Sequence, residues 1–148
     1  MATQNLTRAY DRHKKRKIES FTTTLDFTVE VATSGDTYQL FKLPANSYVT
    51  KAEILVLTAS DAGTSAVADV GFDGGDTLLD GVNLKSAANT LLSGGTNAVV
   101  PQLKATGGTV TFKPTYAGTA STVGKYLVRI DYIQIDKTSG EVTNFSTT

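Results

Sequence analysis

Three stretches of this 148-residue chain carry side chains that could do chemistry. The first holds the sole histidine, His13, inside the run Arg12-His13-Lys14-Lys15-Arg16-Lys17. Triad catalysis needs an imidazole held beside a nucleophile on a rigid frame. A run of like charges favours a solvated tail, which is a poor frame. With one histidine and no cysteine, a zinc cluster is also out of reach. The second stretch places Asp69, Asp73, Asp76 and Asp80 around Gly74-Gly75. Carboxylates converging on a turn suit calcium, and a facing pair suits glycoside hydrolysis. The spacing does not match a D-x-D-x-D-G calcium loop, and Asp and Gly are good turn formers in any case. A turn is the expectation. The third stretch, Gly118 to Lys125, resembles a phosphate-binding loop superficially. It has one residue too many between Gly118 and Gly124, and Tyr126 stands where a Ser or Thr is required. It is expected to be a hairpin loop. The chain is therefore read as a non-enzyme, with no catalytic residue, no metal site and no cofactor.

The basic run is the most pronounced feature left. Residues 1–20 hold Arg8, Arg12, Lys14, Lys15, Arg16 and Lys17 against Asp11 and Glu19, a net +4. The other 128 residues hold eight basic and twelve acidic residues, a net −4, so the overall charge of zero conceals a basic arm on an acidic body. Such an arm can neutralise nucleic-acid phosphates. It lacks the interleaved aromatics that would stack on bases. Docking on an acidic protein surface, including another copy of the body, is the preferred reading, and nucleic acid is the weaker one. The residues expected to bind the partner are Arg8, Arg12, Lys14, Lys15, Arg16 and Lys17, with Tyr10, Ile18 and Phe21 as apolar anchors. No apolar run approaches the roughly 20 residues that span a bilayer. The opening MATQNLTRAYDRHKK has no apolar segment of a secretory signal, so no membrane association is expected.

These side chains need a scaffold, and the composition points to strands. Threonine occurs 24 times and glycine 13 times, and there is no tryptophan. Threonine is β-branched and suits a pleated, half-exposed surface. Leu25, Phe27, Val29 and Val31 alternate with polar residues and predict a half-buried strand. Ser34-Gly35-Asp36 then turns the chain into a second strand through Tyr38, Leu40 and Phe41, giving a hairpin. Tyr48 to Thr58 is apolar on both faces at Ile54 to Leu57, which predicts a central strand covered on both sides. Ala66, Ala68, Val70 and Phe72 form the next alternation. Asn83 to Leu92 fits a short helix or a loop. Ala98 to Leu103 fits a short edge strand containing Pro101. Val110, Phe112 and Tyr116 mark another strand. In the last, Tyr126, Val128, Ile130 and Tyr132 take one face and Leu127, Arg129 and Asp131 the other. Ile133 and Ile135 break that phase, as a bulge would. About eight short strands predict an all-β, antiparallel, jelly-roll-like sandwich. Its domain is expected at residues 21–148, behind an arm at 1–20.

Three segments resemble small β-sandwich virion proteins of tailed bacteriophages, of the capsid decoration or cement type. They are LPANSYVTKAEILVLTA (Leu43 to Ala59), VGFDGGDTLLDGVNLKSA (Val70 to Ala87) and VGKYLVRIDYIQI (Val123 to Ile135). The resemblance covers roughly residues 43–135 and carries no catalytic signature, so no functional residue transfers. It implies a virion location after assembly in the host cytoplasm. It also implies a homo-oligomer, with a trimer favoured, and the major capsid protein or other virion proteins as partners. The alternative is a tail or fibre component, or a carbohydrate-binding module. That module would stack sugars on Tyr38, Tyr48, Tyr116, Tyr126 or Tyr132.

Overall fold

A computed structural model describes residues 18–29 and 31–135. These residues form nine strands and no helix. In chain order they are β1 (Glu19–Asp26), β2 (Tyr38–Leu43), β3 (Ser47–Thr58), β4 (Ser65–Phe72) and β5 (Leu79–Asn83). Then come β6 (Leu91–Leu92), β7 (Gln102–Lys104), β8 (Gly108–Ala117) and β9 (Lys125–Gln134). One sheet runs β1-β9-β3, with β7 and β6 one after the other along the far edge of β3; the other runs β2-β8-β4-β5. All pairings are antiparallel. Successive strands β1 to β5 alternate between layers except at β4–β5, and late strands slot between early ones. That interleaving is the arrangement of a jelly roll. The expected all-β sandwich is what forms.

The core lies between the sheets. Alternation buries Ile54 and Val56 from β3, Ala66, Ala68 and Val70 from β4, Val110 and Phe112 from β8, and Tyr126, Val128 and Ile130 from β9. Phe27, Tyr38, Phe112 and Tyr126 form an aromatic cluster at one end, with ring centroids 5.3–6.3 Å apart. Pro114 sits in β8, which has neighbours on both sides. It is tolerated because β2 ends opposite Phe112, so the missing N–H falls beyond the end of that ladder. The Pro114 carbonyl there accepts the Gly35 N–H instead (2.7 Å).

Several local expectations are corrected. The first strand stops at Asp26, because the Asp26 carboxylate accepts bonds from Thr28 N–H (3.0 Å) and Thr28 Oγ (2.5 Å) and folds the chain into a turn. Phe27 is still buried, but Val29 and Val31 leave the core and stand 82% and 61% exposed. The expected hairpin between the first two strands does not form; β1 and β2 lie in different sheets. Likewise the 118–124 loop is a crossing between sheets rather than a hairpin, since β8 and β9 belong to opposite layers. β3 is central, yet its outer face is only half covered at Leu55 and Leu57. The bulge that the end of β9 suggested lies on β3, between Val49 and Lys51. Asn83 to Leu92 is irregular and ends in the two-residue β6.

Candidate interaction surface

The outer face of the β1-β9-β3 sheet is organised by register. One row across it is Thr22, Arg129, Glu53; the next is Ser20, Asp131, Lys51. Arg129 donates to Asp131 through Nε (2.9 Å) and Nη2 (2.8 Å) and reaches Glu53 Oε1 through Nη1 (3.4 Å). Lys51 Nζ lies 2.7 Å from Glu53 Oε2, an ion pair. Ser20 Oγ donates to Asp131 Oδ1 (2.6 Å). The two carboxylates are 8% exposed, and the cations above them 43% and 51%. The surface thus presents basic groups over sunken acids. Burial alone would raise the Asp131 carboxyl. The bonds from Ser20 and Arg129, with the charges of Arg129 and Lys51, outweigh it and hold the group below its ordinary value. The bond to Asp131 in turn raises Arg129.

Apolar rows flank this charged band. On one side Leu127, Leu55 and Leu91 are in register; on the other, Ile133, Tyr48 and Leu103. Leu91, Val99 and Leu103 are 55%, 57% and 56% exposed. Between β6 and β7, residues Thr50 to Glu53 have no strand partner on that edge among the described residues. The gap opens a recess of about 350 Å³, lined among others by Lys51, Glu53, Leu91 and Val100.

Of the residues expected to bind a partner, Arg8, Tyr10, Arg12, Lys14, Lys15, Arg16 and Lys17 lie outside the described residues, as does His13. Ile18 is 56% exposed at the start of β1. Phe21 is partly exposed and stacks on Phe41. Asp73 and Asp76 lie in the connection between β4 and β5, as expected of turn residues, whereas Asp69 is within β4 and Asp80 within β5. Asp69 accepts the Gly81 N–H (2.9 Å) and Asp80 the Asn97 N–H (2.8 Å), while Asp73 adopts a left-handed φ of 54°. Among the described residues no three acidic or histidine side chains gather as a metal site would require. The tyrosines offered for sugar stacking are mostly structural: Tyr126 is fully buried, and Tyr38, Tyr116 and Tyr132 pack against the core. Leu91, Val99 and Leu103 were not singled out from sequence. Val99 and Leu103 fell in the edge-strand pattern around Pro101 and Leu91 in the undecided stretch Asn83 to Leu92, because β6 and β7 are too short to alternate visibly.

No family model matches the chain, and no curated protein matches it. Solved structures do. A chain of the capsid of Ralstonia phage GP4 superposes with a TM-score of 0.56 at 20% identity, over 86% of this chain and 89% of that one. The fold is that of phage capsid chains. A chain from the cyanophage Pam1 capsid asymmetric unit gives 0.56 at 15% identity, over 84% and 88%. One from the acidic stable capsid of Helicobacter pylori bacteriophage KHP30 gives 0.54 at 16%, over 80% and 92%. The shared architecture spans nearly the whole length of each of these chains, so it is a match of complete folds rather than of a fragment. Among the described residues no helix is long and apolar enough to cross a membrane.

Proposed function

We propose that this chain is a non-enzymatic structural protein of a phage virion that decorates or cements the capsid through protein–protein contacts. The observation that carries the proposal is the likeness of the whole fold to chains of three phage capsids. The surface fits the role. Exposed Leu91 and Leu103 beside a Lys51–Arg129 band offer an apolar patch with a polar rim, the make-up of a protein interface. The basic arm, with Arg8, Arg12 and Lys14 to Lys17, adds a second, salt-sensitive point of attachment, with Tyr10, Ile18 and Phe21 beside it. Binding surface available only on the assembled shell stabilises that shell by mass action.

The test is co-sedimentation with empty capsids of the parent phage at two salt concentrations. The full chain is compared with one lacking residues 1–17, which leaves β1 intact. Binding by the full chain alone makes the arm the anchor. Equal binding by both places attachment on the sandwich, and loss with Leu91→Asp and Leu103→Asp would locate it. If neither binds, capsid attachment is wrong.

A further inference from the structure

Among the described residues the sandwich leaves one long sheet edge, that of β1, without a partner strand. The far edge of β3 is paired by β7 and β6, which leave open only the short stretch Thr50 to Glu53 between them. The edge of β5 is tied down by the Asp80 N–H bond to the Gly94 carbonyl (3.0 Å) and by Asn97 on the Asp80 carboxylate. β2 is short, bulged between Gln39 and Phe41, and carries Lys42. β1 has none of these devices. It is eight residues long, pairs with β9 without a register shift, and contains no proline and no basic residue. Natural sheets protect such edges because they recruit another strand.

The direction of the free groups follows from the ladder. Phe27 N–H bonds to the Gly124 carbonyl, in the same register as the rest of the β1–β9 pair. Glu19, Phe21, Thr23 and Leu25 therefore turn their backbone groups to β9. Ser20, Thr22, Thr24 and Asp26 turn theirs outward.

We propose that this edge pairs with the same edge of a second copy, antiparallel about a twofold axis at Thr23. Outward groups must meet outward groups, so even-numbered residues pair with even-numbered ones. That parity forbids the register in which Glu19 would face Asp26. With the axis at Thr23, Thr22 faces Thr24, a favourable cross-strand pair, and Phe21 faces Leu25. The ends agree as well. Ile18 precedes the strand, and Val29 and Val31 follow it, at 56%, 82% and 61% exposed. Half of the six exposed large hydrophobics among the described residues thus flank this strand. The twofold brings Ile18 of one copy to the Phe27–Val29 turn of the other, so each end of the joint ribbon closes over apolar side chains. An edge that pairs with itself is isologous and gives a closed dimer, not the trimer favoured from sequence.

Mass measurement by sedimentation on the full chain is the first test, with two variants. Thr22→Pro removes an outward N–H and leaves the β9 ladder intact. Thr23→Cys introduces the only cysteine at the axis, in a non-hydrogen-bonded pair about 4.5 Å apart between Cα atoms, a span a disulfide accepts. The expected results are a twofold mass for the parent chain, a single-chain mass for Thr22→Pro, and a covalent dimer from Thr23→Cys under mild oxidation. A parent chain of single or threefold mass overturns the proposal. So does a dimer in which Thr23→Cys fails to cross-link. Should Thr22→Pro not fold, the cross-link alone decides. All readouts use the isolated protein, so they are independent of capsid binding.

Discussion

Phe21 of β1 and Phe41 of β2 stack face to face, ring centroids 4.0 Å apart and 16° from parallel, joining the two sheets at their shared corner. Tyr132 extends the stack, 6.1 Å from Phe41. Phe21 is partly exposed, so truncation forfeits only part of a full aromatic burial. Phe21→Ala is expected to cost about 1–3 kcal/mol, below the range for fully buried aromatics. Phe21→Leu should cost less. Urea unfolding of both variants measures the difference, and an unchanged midpoint for Phe21→Ala would mean that the stack contributes nothing.

The layers were legible wherever strands alternate over a long run. The inward face of β9, Tyr126 to Tyr132, and the small residues of β4 were read correctly because buried positions alternate with half-buried ones over most of each strand. Pairing was less legible. A turn such as Ser34-Gly35-Asp36 looks like a hairpin, but whether the next strand stays in its sheet or crosses is decided by long-range partners, here β8 and β9. Val29 and Val31 misled for a different reason. Their alternation is that of a strand, but the local bonds from Thr28 to Asp26 override it. As for the surface, the charged band on β9 was visible as Arg129 and Asp131. Its completion by Lys51 and Glu53 depends on the β3–β9 register, which the bulge at Thr50 sets.

Two solvent-accessible carboxylates, Asp26 and Asp61, tie loops down, and their titration contributes to the acid response. Thr28 and Lys125 hold Asp26 at about 2. Bonds from Thr122 N–H (2.7 Å), Thr122 Oγ (2.6 Å) and Ser121 Oγ (3.0 Å) push Asp61 well below the ordinary range. A lowered folded-state pKa contributes stability above the unfolded value, near 3.9, and loses it as pH falls toward the folded value. Stability should therefore be flat from about pH 7 to 5 and fall below about pH 4. Asp61→Asn should lower stability more at pH 7 than at pH 2, because the lowered pKa keeps Asp61 partly contributing even there. Chemical denaturation across that range measures it; an equal loss at both pH values would assign the effect to shape rather than charge.

The outer-face network predicts a ranking. Arg129 contacts both sunken carboxylates, whereas Lys51 pairs with Glu53 alone. Removing Arg129 leaves Asp131 with Ser20 as its remaining hydrogen-bonding side chain and only the more distant charge of Lys51, a buried carboxylate without its bonded counter-ion. Arg129→Met should lower the thermal midpoint more than Lys51→Met. The acid limb should also shift upward in Arg129→Met, because Asp131 loses the guanidinium that favours its charged form. Calorimetry at pH 7 and pH 4 separates the two variants, and equal midpoints would show that the fork to Asp131 adds nothing.

Tyr126 is the largest fully buried side chain, yet its hydroxyl has no hydrogen-bond partner. Ser60 stands near enough to moderate the phenol's acidity, but its own proton goes to Ser121 Oγ (2.7 Å). Burial pushes the Tyr126 phenol far above its usual value, and Tyr116, also unpartnered, to about 12. A buried hydroxyl without a partner has lost its water and gained no bond. Tyr126→Phe keeps the ring against Phe27 and Phe112 and deletes only that group. It should be neutral or stabilising by up to about 1 kcal/mol, whereas Tyr126→Ala should cost about 3–5 kcal/mol. Gly124 reports on the same spot. A Cβ there would stand 2.5 Å from the Tyr126 hydroxyl and 3.0 Å from its ring. Gly124→Ala should therefore destabilise the parent chain and be partly rescued in the Tyr126→Phe background. A double-mutant cycle by urea unfolding measures that coupling. A Tyr126→Phe loss above about 1 kcal/mol would reveal a hydrogen bond to the hydroxyl, for instance through a buried water.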